Sequence, residues 1–175
     1  MSEEHAAAVP TIRRRGEGDV EECVRVLAEV HRRDAYPVNW PERPGDWVAQ
    51  ASGCGAWVAE LDGRPVGHVG LSHGGEGGLA PGVWSERTGR ARDLAAVVSR
   101  LFVAPWARGH GIGALLLGRA VEEAGRRGLH PVLDVVASDT AAAALYERLG
   151  WRRLATVEER WGPAQRVTIH CYAAG

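Results

Sequence analysis

The sequence contains no lysine, and all 21 of its basic residues are arginines. Chemistry that needs a lysine amine is therefore excluded, namely Schiff-base catalysis and the Walker-type phosphate loop. No apolar run approaches the roughly 20 residues that a membrane-spanning helix needs. The N-terminus lacks the basic start and apolar core of a secretory signal. Since the net charge of −1 leaves no basic excess for phosphates, we expect neither nucleic acid nor membrane as a partner.

Cysteine is also scarce. Cys23, Cys54 and Cys171 form no C-x-x-C pair and lack metal-ligand spacing. No pair of histidines has such spacing either, so we predict no metal site. Together with the missing export signal, the scattered thiols indicate a cytoplasmic protein with reduced cysteines.

What is present predicts a single α/β domain. The chain has 175 residues, 45% of them hydrophobic and 25% charged, which is enough to bury a core without disulfides or metals. We expect a flexible tail over residues 1–10, a domain over 11–175, and a long loop over the Gly-rich residues 74–93. Period-2 and period-3.6 patterns predict strands at 9–14, 54–61, 65–72, 94–103, 132–137, 151–159 and 165–172, and helices at 18–33, 46–51, 111–127 and 138–149.

The most informative segment is a glycine-rich turn between a strand and a helix, RLFVAPWARGHGIGALL. Small residues let a ligand approach the backbone, and the first N–H groups of a helix have no intrahelical partner. With the helix dipole, these groups form an anion site suited to phosphate, and Arg108 adds a positive charge. A P-loop is excluded because GKS and GKT are absent.

Two phosphate-binding interpretations of this turn remain. One is a dinucleotide fingerprint, Gly109-x-Gly111-x-x-Ala114, with Asp134 about a strand later. Against it, residues 105–108 separate the strand from the glycines, whereas the fingerprint normally follows its strand directly. The other is the pyrophosphate loop of an acyl-coenzyme A enzyme.

Two motifs carry a family resemblance. Arg108-x-x-Gly111-x-Gly113 resembles the R/Q-x-x-G-x-G/A signature of the GNAT superfamily of N-acetyltransferases, and the preceding LFV-x-P resembles its strand. Downstream, LDVVASDTAAAALYERLGW resembles the second signature of the family, with Tyr146 and Gly150 on its Tyr and Gly. The resemblance is specific over about residues 94–152.

The resemblance implies a fold and a co-substrate. The fold is a single-domain GNAT fold: a mixed, mostly antiparallel sheet of six to seven strands, flanked by about four helices. A parallel strand pair, 94–103 and 132–137, would splay apart to bind acetyl-CoA. By resemblance, the coenzyme-binding residues are Leu101, Phe102, Val103, Arg108, Gly109, His110, Gly111, Ile112, Gly113, Ala114 and Asp139. Asp139 stands where the family has Asn, and an ionised carboxylate cannot donate a hydrogen bond as an amide does.

The resemblance also implies a mechanism, direct attack of a primary amine on acetyl-CoA in a ternary complex. Tyr146 would be the general acid, since a phenol pKa near ~10 lies close above a thiol pKa near ~8.5. Two roles are open to Asp134: a base that accepts a proton, or, the role we favour, a structural carboxylate that caps backbone N–H groups. No cysteine falls in either signature, which disfavours an acyl-enzyme.

The acceptor side is less defined by sequence. His68 and His73 are either packed strand residues or groups near the acceptor. Trp40, Trp47 and Trp84 either pack or line an acceptor pocket, in which the 34–47 connector would form a wall. We expect a small-molecule amine rather than a protein as acceptor, and the resemblance implies a homodimer. The alternatives are a non-catalytic acyl-CoA sensor and an NAD-binding oxidoreductase.

Overall fold

The structure, a computed structural model, describes residues 8–175, so most of the tail predicted over residues 1–10 lies outside the described residues. The described chain forms seven strands and five helices. The strands are β1 Thr11–Arg14, β2 Gly55–Leu61, β3 Arg64–His73, β4 Ala95–Val103, β5 His130–Val136, β6 Arg152–Gly162 and β7 Gln165–Ala173. The helices are α1 Val20–Asp34, α2 Pro44–Ala49, α3 Ala80–Thr88, α4 Ile112–Arg126 and α5 Thr140–Arg148.

The strands form one sheet in the order β1-β2-β3-β4-β5-β7-β6. Every neighbouring pair is antiparallel except β4 and β5, which are parallel. This parallel pairing covers only Ala95–Val97 against His130–Val132, and beyond it the two strands diverge. The mixed sheet with one splayed parallel pair is therefore confirmed, and the divergence opens a gap in the middle of the sheet.

Two neighbouring residues of β3 show how helices cover the sheet. Gly67 faces α4, since a Cβ added there would lie 3.0 Å from Leu116. The next side chain, His68, faces α2, because its ring contacts Arg15 and Arg15 donates to the Val48 carbonyl. Consecutive strand residues point to opposite faces. Helices α2 and α4 thus lie on opposite faces of the sheet.

The apolar residues of the first helix pack into the core as their spacing predicts. In α1, Cys23, Val26, Leu27 and Val30 recur at spacings of three and four, and all four are buried in the main core. Such spacing places them on one side of the helix. The buried stripe holds the C-terminal end of α1 at the sheet, where the connector to α2 begins.

The long loop predicted for residues 74–93 is wrong, because this segment contains α3, a fifth helix where about four were expected. Trp84 of α3 is 2% exposed and stacks on His130 at a centroid distance of 5.5 Å. The N–H groups of Leu79 and Ala80, where the helix begins, donate to the Asp134 carboxylate at 2.8 Å each. Glycines disfavour a helix locally, so contacts with the distant strand β5 stabilise this one.

Within residues 8–175, each helix is too short or too polar to cross a bilayer.

Candidate active site

A cleft of about 620 Å³ opens where β4 and β5 diverge. Four parts of the chain line it: the end of α1 with its connector, the end of β4, the glycine turn with the start of α4, and α5. The lining residues are Val30, Asp34, Tyr36, Leu101, Phe102, Val103, Arg108, Gly109, Gly111, Ile112, Gly113, Ala114, Ser138, Asp139, Thr140, Ala141, Ala142, Leu145, Tyr146 and Arg148. All the predicted coenzyme-binding residues except His110 line the cleft, and His110 is exposed.

The glycine turn presents free backbone donors to this cleft. Gly111 is the N-cap of α4 and has a φ of 70°, a left-handed conformation that favours glycine. The Leu115 N–H donates to the Gly111 carbonyl at 3.1 Å, so the N–H groups of residues 112–114 precede the first bond of the helix. Because these residues line the cleft, their donors and the positive end of the helix dipole are available to an anion there.

Arg108 places a positive charge at the mouth of the cleft. Its Nη2 lies 2.6 Å from the Asp34 carboxylate and 3.3 Å from the Val103 carbonyl oxygen. The ion pair connects the end of α1 to the glycine turn. Sequence reasoning missed Asp34, because its pairing depends on how α1 packs against the sheet.

Tyr146 combines a buried ring with a place in the cleft lining. The residue is 6% exposed, and its ring packs against Trp151 and Tyr172 at centroid distances of 6.0 and 5.8 Å. Its hydroxyl makes no hydrogen bond within residues 8–175, although the residue lines the cleft. Burial raises the pKa of Tyr146 well above its usual value, so the phenol stays protonated at neutral pH.

A second tyrosine in the cleft, Tyr36, was not predicted. It lies in the 34–47 connector, which was expected to form the acceptor wall, and its ring packs edge-on against Trp47 at 6.1 Å. None of the three candidate tryptophans lines the cleft. Trp47 packs against Tyr36, Trp40 packs against His31, and Trp84 lies on α3. The connector therefore contributes to the cleft lining a tyrosine that packs against a tryptophan.

The two aspartates of the predicted site have different surroundings. Asp139 lines the cleft and caps α5, accepting a hydrogen bond from the Ala142 N–H at 3.2 Å. Asp134 is absent from the lining, and its two oxygens accept from the first N–H groups of α3. Cys171 also donates to Asp134, at 3.3 Å. These contacts support the structural role of Asp134 over the role of a base.

Replacing Asp134 with asparagine is expected to destabilise the fold while leaving turnover intact. The two oxygens of the carboxylate each accept one N–H group, whereas the asparagine amide has a single acceptor oxygen. We therefore expect a loss of about 2 kcal/mol in the free energy of unfolding. Urea denaturation measures this loss, and the exposed Asp93→Asn is the matched control. A normal free energy of unfolding combined with a 100-fold loss in kcat would instead identify Asp134 as a base.

Neither candidate histidine lines the cleft: His73 is exposed, and His68 is fully buried. The His68 Nδ1 lies 2.9 Å from the Arg100 carbonyl oxygen, and its Nε2 lies 2.9 Å from Arg15 Nη1. The carbonyl can only accept and the guanidinium can only donate, which defines a neutral ring protonated at Nδ1. Burial lowers the pKa of His68 to about 4.

This depressed pKa predicts acid sensitivity. At pH values between the folded pKa of His68 and its unfolded pKa of about 6.5, the unfolded chain binds a proton that the folded protein does not bind. The free energy of unfolding therefore falls as the pH falls through this range. We expect His68 to account for a loss of about 2 kcal/mol in the free energy of unfolding between pH 7 and pH 5. Urea denaturation at both pH values should show a smaller loss in His68→Gln. An equal loss in the two proteins would refute the assignment.

Comparison with known proteins identifies the family. A family model described as acetyltransferase (GNAT) family matches residues 25–151. A curated protein from Methanocaldococcus jannaschii, described as an uncharacterised N-acetyltransferase, is 28% identical over 153 residues, or 85% of this chain. The chain spans 63% of the length of that relative.

Solved structures share the fold at low sequence identity. The ribosomal-protein-S18-alanine N-acetyltransferase of Escherichia coli is 18% identical with a TM-score of 0.69, covering 95% of this chain and 93% of that one. The ribosomal-protein-alanine N-acetyltransferase of Brucella melitensis is 21% identical with a TM-score of 0.69, covering 93% and 98%. The protein yncA of Salmonella typhimurium, solved with its cofactor acetyl-CoA, is 19% identical with a TM-score of 0.64, covering 95% of each chain. The predicted fold class is confirmed, and because the family model matches most of the sequence, this chain belongs to the acetyltransferase (GNAT) family.

Proposed function

We propose that the protein is an N-acetyltransferase that moves an acetyl group from acetyl-CoA to the primary amine of a small molecule. The observation that carries this proposal is the cleft between β4 and β5, whose lining includes the glycine turn with its free N–H groups and, from α5, Tyr146. A cytoplasmic location and a homodimer belong to the same proposal, and sedimentation of the purified protein tests the dimer.

The residues present fit acetyl-CoA. The N–H groups of residues 112–114 suit the pyrophosphate, because they precede the first hydrogen bond of α4 and have no acceptor within the helix. The Arg108 guanidinium, held by Asp34 and the Val103 carbonyl, adds a positive charge beside them. Beyond Val97, β4 no longer pairs with β5, so alternate backbone groups of residues 101–103 face the cleft. Amide groups of a pantetheine arm would pair with this free strand edge.

In the proposed reaction, the amine attacks directly. The neutral amine nitrogen forms a bond to the thioester carbonyl carbon, and the carbon–sulfur bond breaks. Backbone N–H groups near Val103 stabilise the oxyanion of the tetrahedral intermediate. The departing sulfur takes a proton from the Tyr146 hydroxyl, which its raised pKa keeps protonated before the reaction. The proton that the amine loses returns to Tyr146 through water, which restores the phenol.

A small acceptor is supported by a side-chain bridge between the connector and the β6–β7 turn. Asn39, in the connector, and Gln165, at the β6–β7 turn, exchange two side-chain hydrogen bonds of 3.2 Å each. This pair bridges the connector and the β6–β7 turn, and we expect the bridge to obstruct an extended peptide. A compact amine is the acceptor that this obstruction favours.

Ligand-dependent unfolding followed by a turnover assay tests the proposal. A ligand at about 100 times its Kd raises the free energy of unfolding by about 2.7 kcal/mol. We expect such a shift with acetyl-CoA and with CoA, and none with NAD. A panel of amines is then assayed for the release of the CoA thiol.

The outcomes separate three functions. Amine-dependent thiol release confirms acetyl transfer. Coenzyme binding without release above the rate of hydrolysis would indicate an acyl-CoA sensor. A shift with NAD alone would contradict the assignment of the glycine turn.

A further inference from the structure

One arginine beside the cleft is held in place but lacks a counter-charge. The Arg100 guanidinium lies 4.1 Å over the Trp47 ring, and its Nε donates to the Trp47 carbonyl at 3.1 Å. These two contacts orient the planar group. Within residues 8–175, no carboxylate lies within ion-pair distance of it, and its two Nη groups donate to no protein acceptor.

Arg100 immediately precedes the three residues of β4 that line the cleft, Leu101, Phe102 and Val103, and is not itself in the lining. It has a left-handed φ of 53°, at an irregularity in the β3–β4 register between His68 and Gly70. Arg100 precedes Val103 by three residues along the strand, a distance of about 10 Å, and Val103 adjoins the glycine turn. Arg100 is therefore displaced from the phosphate-binding end, toward the place where the acetyl group and the acceptor must meet.

The connector joins Arg100 to the cleft. Trp47, on which the guanidinium stacks, also packs against Tyr36, and Tyr36 lines the cleft beside the glycine turn and α5. Burial raises the pKa of the Tyr36 hydroxyl, the nearby Arg100 charge lowers it, and the Asp139 charge raises it. The guanidinium, the indole and the phenol thus form one contiguous cluster, of which Tyr36 lines the cleft and Trp47 and Arg100 lie next to it.

The positive charge of this cluster favours an acceptor that carries a negative charge. Arg15, on the other side of the neutral His68, also has no carboxylate within ion-pair distance in the described chain. A partly buried cation needs an anionic partner to offset the loss of hydration. The guanidinium already covers the Trp47 ring, so a cation would find that π-face occupied and would be repelled by Arg100.

We propose that the acceptor is a small amine that also carries a carboxylate, such as a free amino acid, and that Arg100 binds this carboxylate. This inference rests on the acetyl transfer proposed above and adds the substrate class. The planar guanidinium has two parallel N–H donors that match the two oxygens of a carboxylate. Its stacking on Trp47 holds the group ready for that contact.

Matched acceptors test the proposal. Amino acids are compared with the amines that lack their carboxylate, for example phenylalanine with phenethylamine and leucine with isopentylamine, by release of the CoA thiol. We expect kcat/KM to be about 10- to 100-fold higher for the amino acid of each pair, the range of one charge-assisted contact. A preference for the amines that lack the carboxylate would overturn the proposal.

Three arginine variants locate the effect. Arg100→Gln is expected to lower kcat/KM for the amino acids about 10- to 100-fold, mainly through KM, and to change the values for the matched amines less than twofold. Arg100→Lys keeps the positive charge but lacks the two parallel N–H donors of the guanidinium. Its kcat/KM for the amino acids should therefore lie between those of the wild type and Arg100→Gln. The control is Arg90→Gln, which removes an arginine stacked on Trp84 at α3 and should leave every value unchanged. An equal loss with both acceptor classes in Arg100→Gln would overturn the assignment.

A binding measurement separates this inference from the proposed function. If no amine is acetylated, calorimetric titration of the same amino acids into the CoA-loaded protein still reports the subsite. Binding by the wild type that Arg100→Gln loses would support the carboxylate site even though the transferase proposal had failed. No binding to the CoA-loaded wild type would refute the site. Unchanged coenzyme affinity in Arg100→Gln confirms that the variant is folded.

Discussion

Tyr146→Phe is expected to lower kcat by about 100- to 10,000-fold, the range that a positioned general acid contributes. The substitution removes only the hydroxyl, which makes no hydrogen bond within residues 8–175, and it leaves the buried ring against Trp151 and Tyr172. We therefore expect the free energy of unfolding and the affinity for CoA to change little. Steady-state release of the CoA thiol measures kcat, and calorimetry measures the affinity.

The matched control for this variant is Tyr172→Phe. Tyr172 belongs to the same aromatic cluster, but its hydroxyl donates to Glu147 at 3.1 Å, and the residue does not line the cleft. Loss of the Tyr172 hydroxyl should lower the free energy of unfolding without lowering kcat. If Tyr146→Phe retained full kcat, the sulfur would have to take its proton from another donor, and the assignment of the general acid would be wrong.

Gly111→Val should weaken CoA binding about 100-fold. Gly111 has a φ of 70°, which a β-branched residue adopts only with strain of about 1–3 kcal/mol. Relief of this strain moves the N–H groups that follow, so their hydrogen bonds to the pyrophosphate are lost as well. Together these effects amount to about 2.7 kcal/mol, or a 100-fold rise in Kd. Isothermal titration with CoA is the measurement.

The same helix offers a control for this substitution. Gly125 lies in α4 at an ordinary helical φ, and a Cβ added there meets nothing within 4 Å. Gly125→Ala should therefore leave the Kd for CoA unchanged and should stabilise the helix by about 0.5–1 kcal/mol. Unchanged CoA affinity in Gly111→Val would mean that the glycine turn does not bind the coenzyme.

The local parts of the site could be predicted because their determinants are contiguous in sequence. A strand, a glycine turn and a helix start within residues 101–114 specify a row of free N–H groups whatever the rest of the chain does. The second signature similarly locates Tyr146 in the second turn of α5. Periodicity located the strands and most of the helices for the same reason, since each pattern reports one element.

Pairings between distant residues could not be predicted. Asp134 resembles a catalytic carboxylate in sequence, yet it caps α3, whose first residues precede it by more than fifty positions. The same contact creates a helix in a Gly-rich segment that has little helical signal of its own. Tyr36 and Arg100 meet at Trp47 only because α2 packs against the bulged strand β4.

The chain alone therefore specified the family motifs, the order of the elements and the glycine turn with its free N–H groups, since these depend on neighbours within a few residues. The tertiary structure decided which side chains share the cleft. It placed Asp34 beside Arg108, removed Asp134 from the cleft lining, and left Arg100 without a counter-charge in the described chain. Those outcomes depend on how helices pack across a sheet that splits after Val97, and no local pattern encodes that geometry.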